Sequence, residues 1–233
     1  MITTRRIATS IFLAATLILT ESPAQAQQKT ANVDEILHQM DAASTRFHST
    51  QADFQWDLYE RVVEQTTTQN GSIYFQKVGP KTEMAAKLLP PTAKFLEYKN
   101  GVLRVFDPGP DHLTVVHAAQ YESFLTLGFG SSGADLSKAW TITNLGTESL
   151  NDGSAPVETT KLDLVPKDPK VRDSITHVTI WVDLKRDISL KQQFFLPSED
   201  QKTAVYTHIR YNQKIDTAPY AIKTDKKTSI DTH

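Results

Sequence analysis

The sequence predicts a mainly β protein with a few helices (α+β): a curled antiparallel sheet of about ten to eleven strands wrapped over an amino-terminal helix and a central helical segment. Three observations predict it. Residues 51–79 alternate apolar and polar side chains with period two, the pattern of a half-buried antiparallel sheet. The later strand-like segments are joined by tight-turn sequences, and helical periodicity is confined to a short stretch before the strands and another in their middle. A sheet this wide curls or closes, and incomplete closure leaves a mouth.

Residues 1–26 have the form of a secretory signal, with Arg5 and Arg6 at the start, an apolar run over 7–20 and Ala24-Gln25-Ala26 as the cleavage site. The run is too short to span a bilayer as a helix, so a mature chain starting near Gln27 is expected free in the periplasm. The Arg5-Arg6 pair lacks a convincing extended twin-arginine motif. Next, Asn32 can cap a helix with Glu35 at its third position, and Val33, Ile36, Leu37, Met40 and Phe47 recur at helical spacing.

The first long strand places Ala52, Phe54, Trp56 and Leu58 on one face and Gln51, Asp53, Gln55 and Asp57 on the other. After a TTTQNG stretch rich in turn residues, Gly71, Ile73 and Phe75 face one way and Ser72, Tyr74 and Gln76 the other. A short alternating segment, 81–88, is ended by Pro90-Pro91. Segments 93–99 and 102–107 flank Asn100-Gly101, a strong hairpin signal, and Asp107-Pro108-Gly109-Pro110 turns the chain into 112–117. Tyr121, Phe124, Leu125 and Gly128 then share a helical face, and Ser132 with Asp135 can cap a short helix reaching Ala139. Strands resume at 140–145, 157–165, 175–184, 188–196 and 204–214, with Lys185-Arg186-Asp187 as a hairpin turn. The divisions expected are a signal at 1–26, one domain over 27–224 and a polar, frayed tail over 225–233.

Composition narrows the function. The chain has no cysteine, which removes disulfides, thiolate nucleophiles, cysteine-metal sites and an acylated lipoprotein anchor. A formal net charge of −2 without a basic stripe argues against nucleic acid as a partner. Gly128-Phe129-Gly130-Ser131-Ser132-Gly133 matches the G-x-G-x-x-G phosphate fingerprint, but its antiparallel flanks lack the parallel βαβ unit that fingerprint needs. Glycines that end one helix and open another explain it more simply. His112 and His117, five apart on a strand, face opposite ways, while no acidic partner is fixed by spacing for His177 or His208. With no catalytic set, no metal site and no cofactor signal, the chain reads as a non-enzyme. Aromatics alternating on strands opposite apolar helix faces fit either a packed core or the wall of a lipid cavity.

The ordered set of NVDEILHQMDAASTRF, STQADFQWDLYE, NGSIYFQKVGP, FLEYKNGVLRVFDPGPDHLTVV, YESFLTLGFG and ITHVTIWVDLKRDISLKQQFFL resembles the LolA family, the periplasmic carriers of outer-membrane lipoproteins. The resemblance spans roughly residues 33–212. It implies an unclosed β-barrel with a helical lid, whose apolar cavity takes acyl chains of lipoproteins from an inner-membrane ABC transporter and delivers them to an outer-membrane acceptor, as a monomer and without a cofactor. On that reading Phe54, Trp56, Leu58, Ile73, Phe75 and Met84 line the lipid-binding wall, and Tyr121, Phe124 and Leu125 form the lid. One departure concerns the lid latch: the family's arginine before the proline that follows the second strand is absent from Gln76-Lys77-Val78-Gly79-Pro80-Lys81. Lys77 or Lys81 stands nearest, without the planar donor fork of arginine. The same fold also serves lipid-sensing envelope regulators, which leaves as an alternative an envelope lipid-sensing or other amphiphile-binding protein without a transport role.

Overall fold

A computed structural model describes residues 32–233. The signal segment and the start at Gln27 lie outside the described residues. Within them, one helix, α1 (Val33–Ser44), precedes six strands: β1 (Ser49–Glu60), β2 (Gln65–Val78), β3 (Lys81–Leu88), β4 (Lys94–Lys99), β5 (Val102–Asp107) and β6 (His112–His117). A helical interruption follows, with a single 3-10 turn at Ala119–Tyr121, then α2 (Glu122–Leu125) and α3 (Gly133–Ala139). The second run comprises β7 (Trp140–Asn151), β8 (Pro156–Pro166), the short α4 (Pro169–Arg172), β9 (His177–Asp183), β10 (Ile188–Phe195) and β11 (Gln201–Tyr211), and β12 (Ser229–Thr232) ends the chain.

All twelve strands form one sheet in the order β12-β6-β5-β4-β3-β2-β1-β11-β10-β9-β8-β7. Each run is a succession of hairpins, and antiparallel pairing of β1 with β11 sews the two runs together. The outer strands β12 and β7 do not pair with each other, so the sheet is an open, curled barrel.

The β1–β2 hairpin turns at residues 61–64, not at TTTQNG. Pairing runs unbroken from Ser49↔Gln76 to Glu60↔Gln65, so the threonines and Asn70-Gly71 lie inside β2. Threonine suits a pleated strand as well as a turn, and here Glu64 supplies the left-handed residue, at φ 52°. Gly71 serves packing instead: a Cβ there would sit 2.5 Å from the Phe54 ring.

Two apolar clusters fill the concave face. One joins Phe54, Ile73, Phe75, Met84 and Tyr98 to Ile188, Leu190, Ala204 and Tyr206. The other lies under the helices, where Ile36 and Met40 of α1 and Leu136 of α3 pack on Leu162, Leu164, Val178 and Ile180. Helix α3 crosses α1 closely because Gly133 has no side chain to strike the Leu37 backbone. The Asp41 carboxylate of α1 accepts from the Ala134 N–H at 3.0 Å, which satisfies one open amide of α3. The expected cap of α3 also forms, Ser132 Oγ accepting from Asp135 N at 3.0 Å. At α1 the Asn32 side chain makes no such bond.

The tail departs from expectation. Residues 229–232 pair in parallel with β6 from Ser229↔His112 to Thr232↔Val115, held further by Thr228 Oγ1 donating to Asp111 at 2.9 Å. Upstream, Tyr220 packs edge-on against Tyr74 at 5.0 Å on the convex face. Backbone pairing, which charge and polarity do not report, overrides the frayed end that its composition suggested.

Candidate functional site

The concave face of β1–β3 carries most of the expected wall. Phe54, Ile73, Phe75 and Met84 are buried together in the first cluster, and Trp56 packs on it half-buried, its ring 4.5 Å from that of Phe54. Leu58 lies on the same face, partly exposed, beyond the cluster. Leu96 of β4 and Leu103 of β5 extend this surface as half-buried neighbours. Register explains the continuity: Phe75 is opposite Met84, Met84 opposite Tyr98, and Tyr98 opposite Leu103, so all four point inward.

The lid residues separate. Leu125 packs against the wall. Phe124 instead joins the cluster beneath α1 and α3, edge-on to Phe194 at 5.2 Å. Tyr121 points outward and is 44% exposed. Tyr121 ends the 3-10 turn and lies outside α2, so helical spacing does not carry it onto the α2 face, and Phe124 and Leu125, adjacent on one turn of helix, point about 100° apart.

The residue that fills the wall is Phe129, which helical periodicity does not single out. It is 1% exposed, stacked on Phe75 at 3.9 Å and 6° and edge-on to Tyr206 at 5.0 Å and 83°. Its flanking glycines explain the GFG sequence. Gly128 (φ 71°) and Gly130 (φ 73°) adopt left-handed backbone, and Cβ atoms would meet Ser189 at the first and the Phe47 ring at the second. The glycines thus let the loop dip its phenylalanine into the sheet, and the phosphate-like spacing follows from that geometry.

Three hydrogen bonds pin this loop to the β9–β10 hairpin and β10: Gln192 Nε2 donates to Leu127 O at 2.6 Å, Ser189 N to Gly128 O at 2.7 Å, and Gly130 N to Asp187 O at 3.1 Å. Tyr206 completes the set by donating its hydroxyl to Gln192 Oε1 at 3.1 Å. Burial raises the Tyr206 phenol far above its ordinary range, so it remains a donor. In so apolar a setting a satisfied network of this kind fixes one arrangement of the loop. Lys77 has a different task from a lid latch, donating to Ser44 O in the last turn of α1 at 3.2 Å. Lys81 is exposed.

A groove of about 440 Å³ runs beside the lid, lined by Lys77, Glu122, Ser123, Ser131, Lys138 and Trp140 among others. It is polar, and none of the wall residues lines it. Nearby, burial and then the charge of Glu122 push the Tyr98 phenol up to about 12.

The histidines either contact carboxylates or are exposed. His177 meets Asp163 at 2.7 Å and stacks on Phe195, His112 meets Asp231 at 3.4 Å, and His208 meets Asp53 at 3.1 Å. Among the described residues there is no group of three or more side chains suited to a metal, and no helix long and apolar enough to cross a membrane.

No protein-family model matches the sequence, and no curated protein does. Solved structures are similar in fold. An uncharacterized conserved protein from Thermus thermophilus superposes with a TM-score of 0.52 at 10% identity, over 86% of this chain and 98% of that one. MucB, in the MucA/MucB complex of Pseudomonas aeruginosa, gives 0.50 at 10% identity over 82–83% of this chain; the chain spans 62% of MucB. A LolA superfamily protein from Nitrosomonas europaea is more distant, at 0.40 and 13% identity, over 82% of this chain and 98% of that one. At these identities the likeness is one of fold alone.

Proposed function

We propose that this chain is a periplasmic carrier that shelters acyl chains, those of lipoproteins first among them, against the concave face of β1–β5. The observation that supports this most is the Phe129 plug: a separate loop lays one aromatic into an apolar slot of the sheet. Energetics make the plug displaceable. Burying a phenylalanine side chain is worth roughly 1.5–3 kcal/mol, and each of the three loop hydrogen bonds about 1 kcal/mol net. Holding the lid shut is then worth about 4.5–6 kcal/mol. An acyl chain of about sixteen carbons gains on the order of 10 kcal/mol by leaving water. Cargo thus outcompetes the plug, while the plug keeps the empty wall from presenting a large apolar patch.

In this reading Phe54, Trp56, Leu58, Ile73, Phe75 and Met84 contact the chain, Leu125 and Phe129 are the moving lid, and Tyr121 and Phe124 guide the lid from its outer and inner sides. The protein acts by binding as a monomer and needs no cofactor; an inner-membrane ABC transporter and an outer-membrane acceptor are its natural donor and recipient. The likeness in fold to MucB favours a second reading, an envelope sensor that binds an amphiphile and signals to another protein without transport.

Trp56→Glu tests the carrier reading. A carboxylate on that wall must stay hydrated or take a proton at a cost of several kcal/mol. The expected variant keeps its β-rich circular dichroism and cooperative melt and no longer takes up a fluorescent acyl probe. An unfolded variant would make Trp56 plain core, and normal uptake would put the lipid elsewhere.

A further inference from the structure

Asp187, in the turn between β9 and β10, is 0% exposed, and neither of its carboxylate oxygens has a hydrogen-bond partner. Its position relates it to the lid. Its own carbonyl accepts from Gly130 N at 3.1 Å, and the next residue, Ile188, bridges Phe129 in antiparallel fashion. The carboxyl group is therefore buried at the point where the plug loop is fastened, and nothing in the carrier reading uses it.

We propose that Asp187 couples lid opening to release of a proton, so that the closed lid carries a neutral Asp187 and the open lid an ionised one. This proposal rests on the carrier reading only in taking the 126–131 loop as the moving part. A carboxyl without donors around it is held neutral by burial, and uncovering it restores the hydration that ionisation needs.

The charged groups around it have been placed. From β2, Lys77 opposes the effect, and from α1, Asp41 adds to it, both weaker than burial, and together these leave the carboxyl pushed up to about 8. From β11, Tyr211 faces it with Arg46 beside that phenol. On its own hairpin, Asp183 is paired with Arg186, which also holds Asp152. The loop fastened to its carbonyl, 128–132, has no charged side chain.

The sign follows from proton counts. The closed state binds one more proton than the open state between the ordinary carboxyl value of 3.8 and about 8. Opening therefore becomes easier as pH rises across that window, by up to about tenfold per pH unit, and is independent of pH below and above it.

The absence of cysteine allows a clean test. Nitroxides attached at Ser131→Cys on the lid loop and Lys81→Cys on β3 report the lid-to-sheet distance in the empty protein by pulsed electron resonance. From about pH 5 to about pH 8 the long-distance population is expected to rise several-fold per pH unit. Asp187→Asn, whose side chain tolerates the φ of 54° found there, is expected to stay closed throughout, and Lys77→Gln to carry the rise on to higher pH than in the parent chain. A pH response that survives in Asp187→Asn, or a lid distance that does not change with pH in the parent chain, would overturn the proposal. A lid that responds while a pyrene-labelled palmitoyl probe fails to bind would uphold the proton coupling and sink the carrier reading instead. Probe binding with a pH-invariant lid would do the reverse.

Discussion

At the scale of single residues, Phe129 decides between a packed core and a lidded wall. In a plain core, Phe129→Ala leaves a cavity, costs about 3–5 kcal/mol and gains nothing. In a lidded wall the same change removes a competitor for the slot. The expected outcome is a lower denaturation midpoint together with tighter binding of an acyl probe, by about 10- to 100-fold, the equilibrium equivalent of the lost phenylalanine burial. Unchanged or weaker binding, measured by probe titration, would return Phe129 to the core. Sequence reading reached most of the wall because strand parity is a local property: Phe54, Ile73, Phe75 and Met84 all point inward as the alternation required. It missed Phe129 because that residue lies in a loop, where no period fixes direction. The available signal was the pair of glycines around it, a mark of backbone that approaches something closely. Tyr74 shows the complementary failure. Its parity is outward, as expected, yet it is 3% exposed because Tyr220, 146 positions along the chain and from a segment without periodicity, covers it.

At the scale of elements, hairpin turns locate the strands, and one turn also fastens the sheet. The β7–β8 hairpin is tipped by Asp152, whose carboxylate accepts from Ser154 Oγ at 2.6 Å, the N–H groups of Ser154 and Ala155, and Arg186 at 3.1 Å, while its carbonyl accepts from His208 N of β11 at 2.6 Å. The tip thus reaches past β9 and β10 to a strand that β8 does not touch in the sheet order. The Ser154 hydroxyl first, then the two amides and Arg186, hold the Asp152 carboxyl down at about 2 against the opposing effect of burial. A depressed value means stability that is present in full above the ordinary carboxyl value and lost as pH falls through about 2. Melting temperature measured from about pH 5 down to about pH 2 should therefore fall more gently in Asp152→Asn than in the parent chain. Equal slopes would show that the tip contributes nothing to acid stability. Turn chemistry was legible for Asn100-Gly101 and Lys185-Arg186-Asp187, where the turn residues fall between apolar runs. It misled at TTTQNG, since threonine and glycine also occur inside strands, and Gly71 is needed there to clear Phe54.

At the scale of the whole molecule, the helical interruption between the two runs of hairpins lays Phe129 on Phe75 of the first run and Tyr206 of the second. The alternation and the turns made the sheet legible. The β1–β11 seam was not, because it pairs residues as far as 161 positions apart, as in Thr50↔Tyr211, and no local signal encodes that distance. Structures of similar fold share only 10% sequence identity with this chain, since the order of elements can persist where individual residues do not. The account's central claim is that acyl chains take the place of Phe129 on the concave face. The most direct measurement is photo-crosslinking with a diazirine-bearing palmitoyl chain, followed by peptide mapping. Adducts on β1–β3 around Phe54, Trp56 and Phe75 and on the 125–130 loop, suppressed by unlabelled palmitate, are the predicted result. Adducts confined to the convex face around Tyr74 or Trp181, or none that palmitate suppresses, would contradict it.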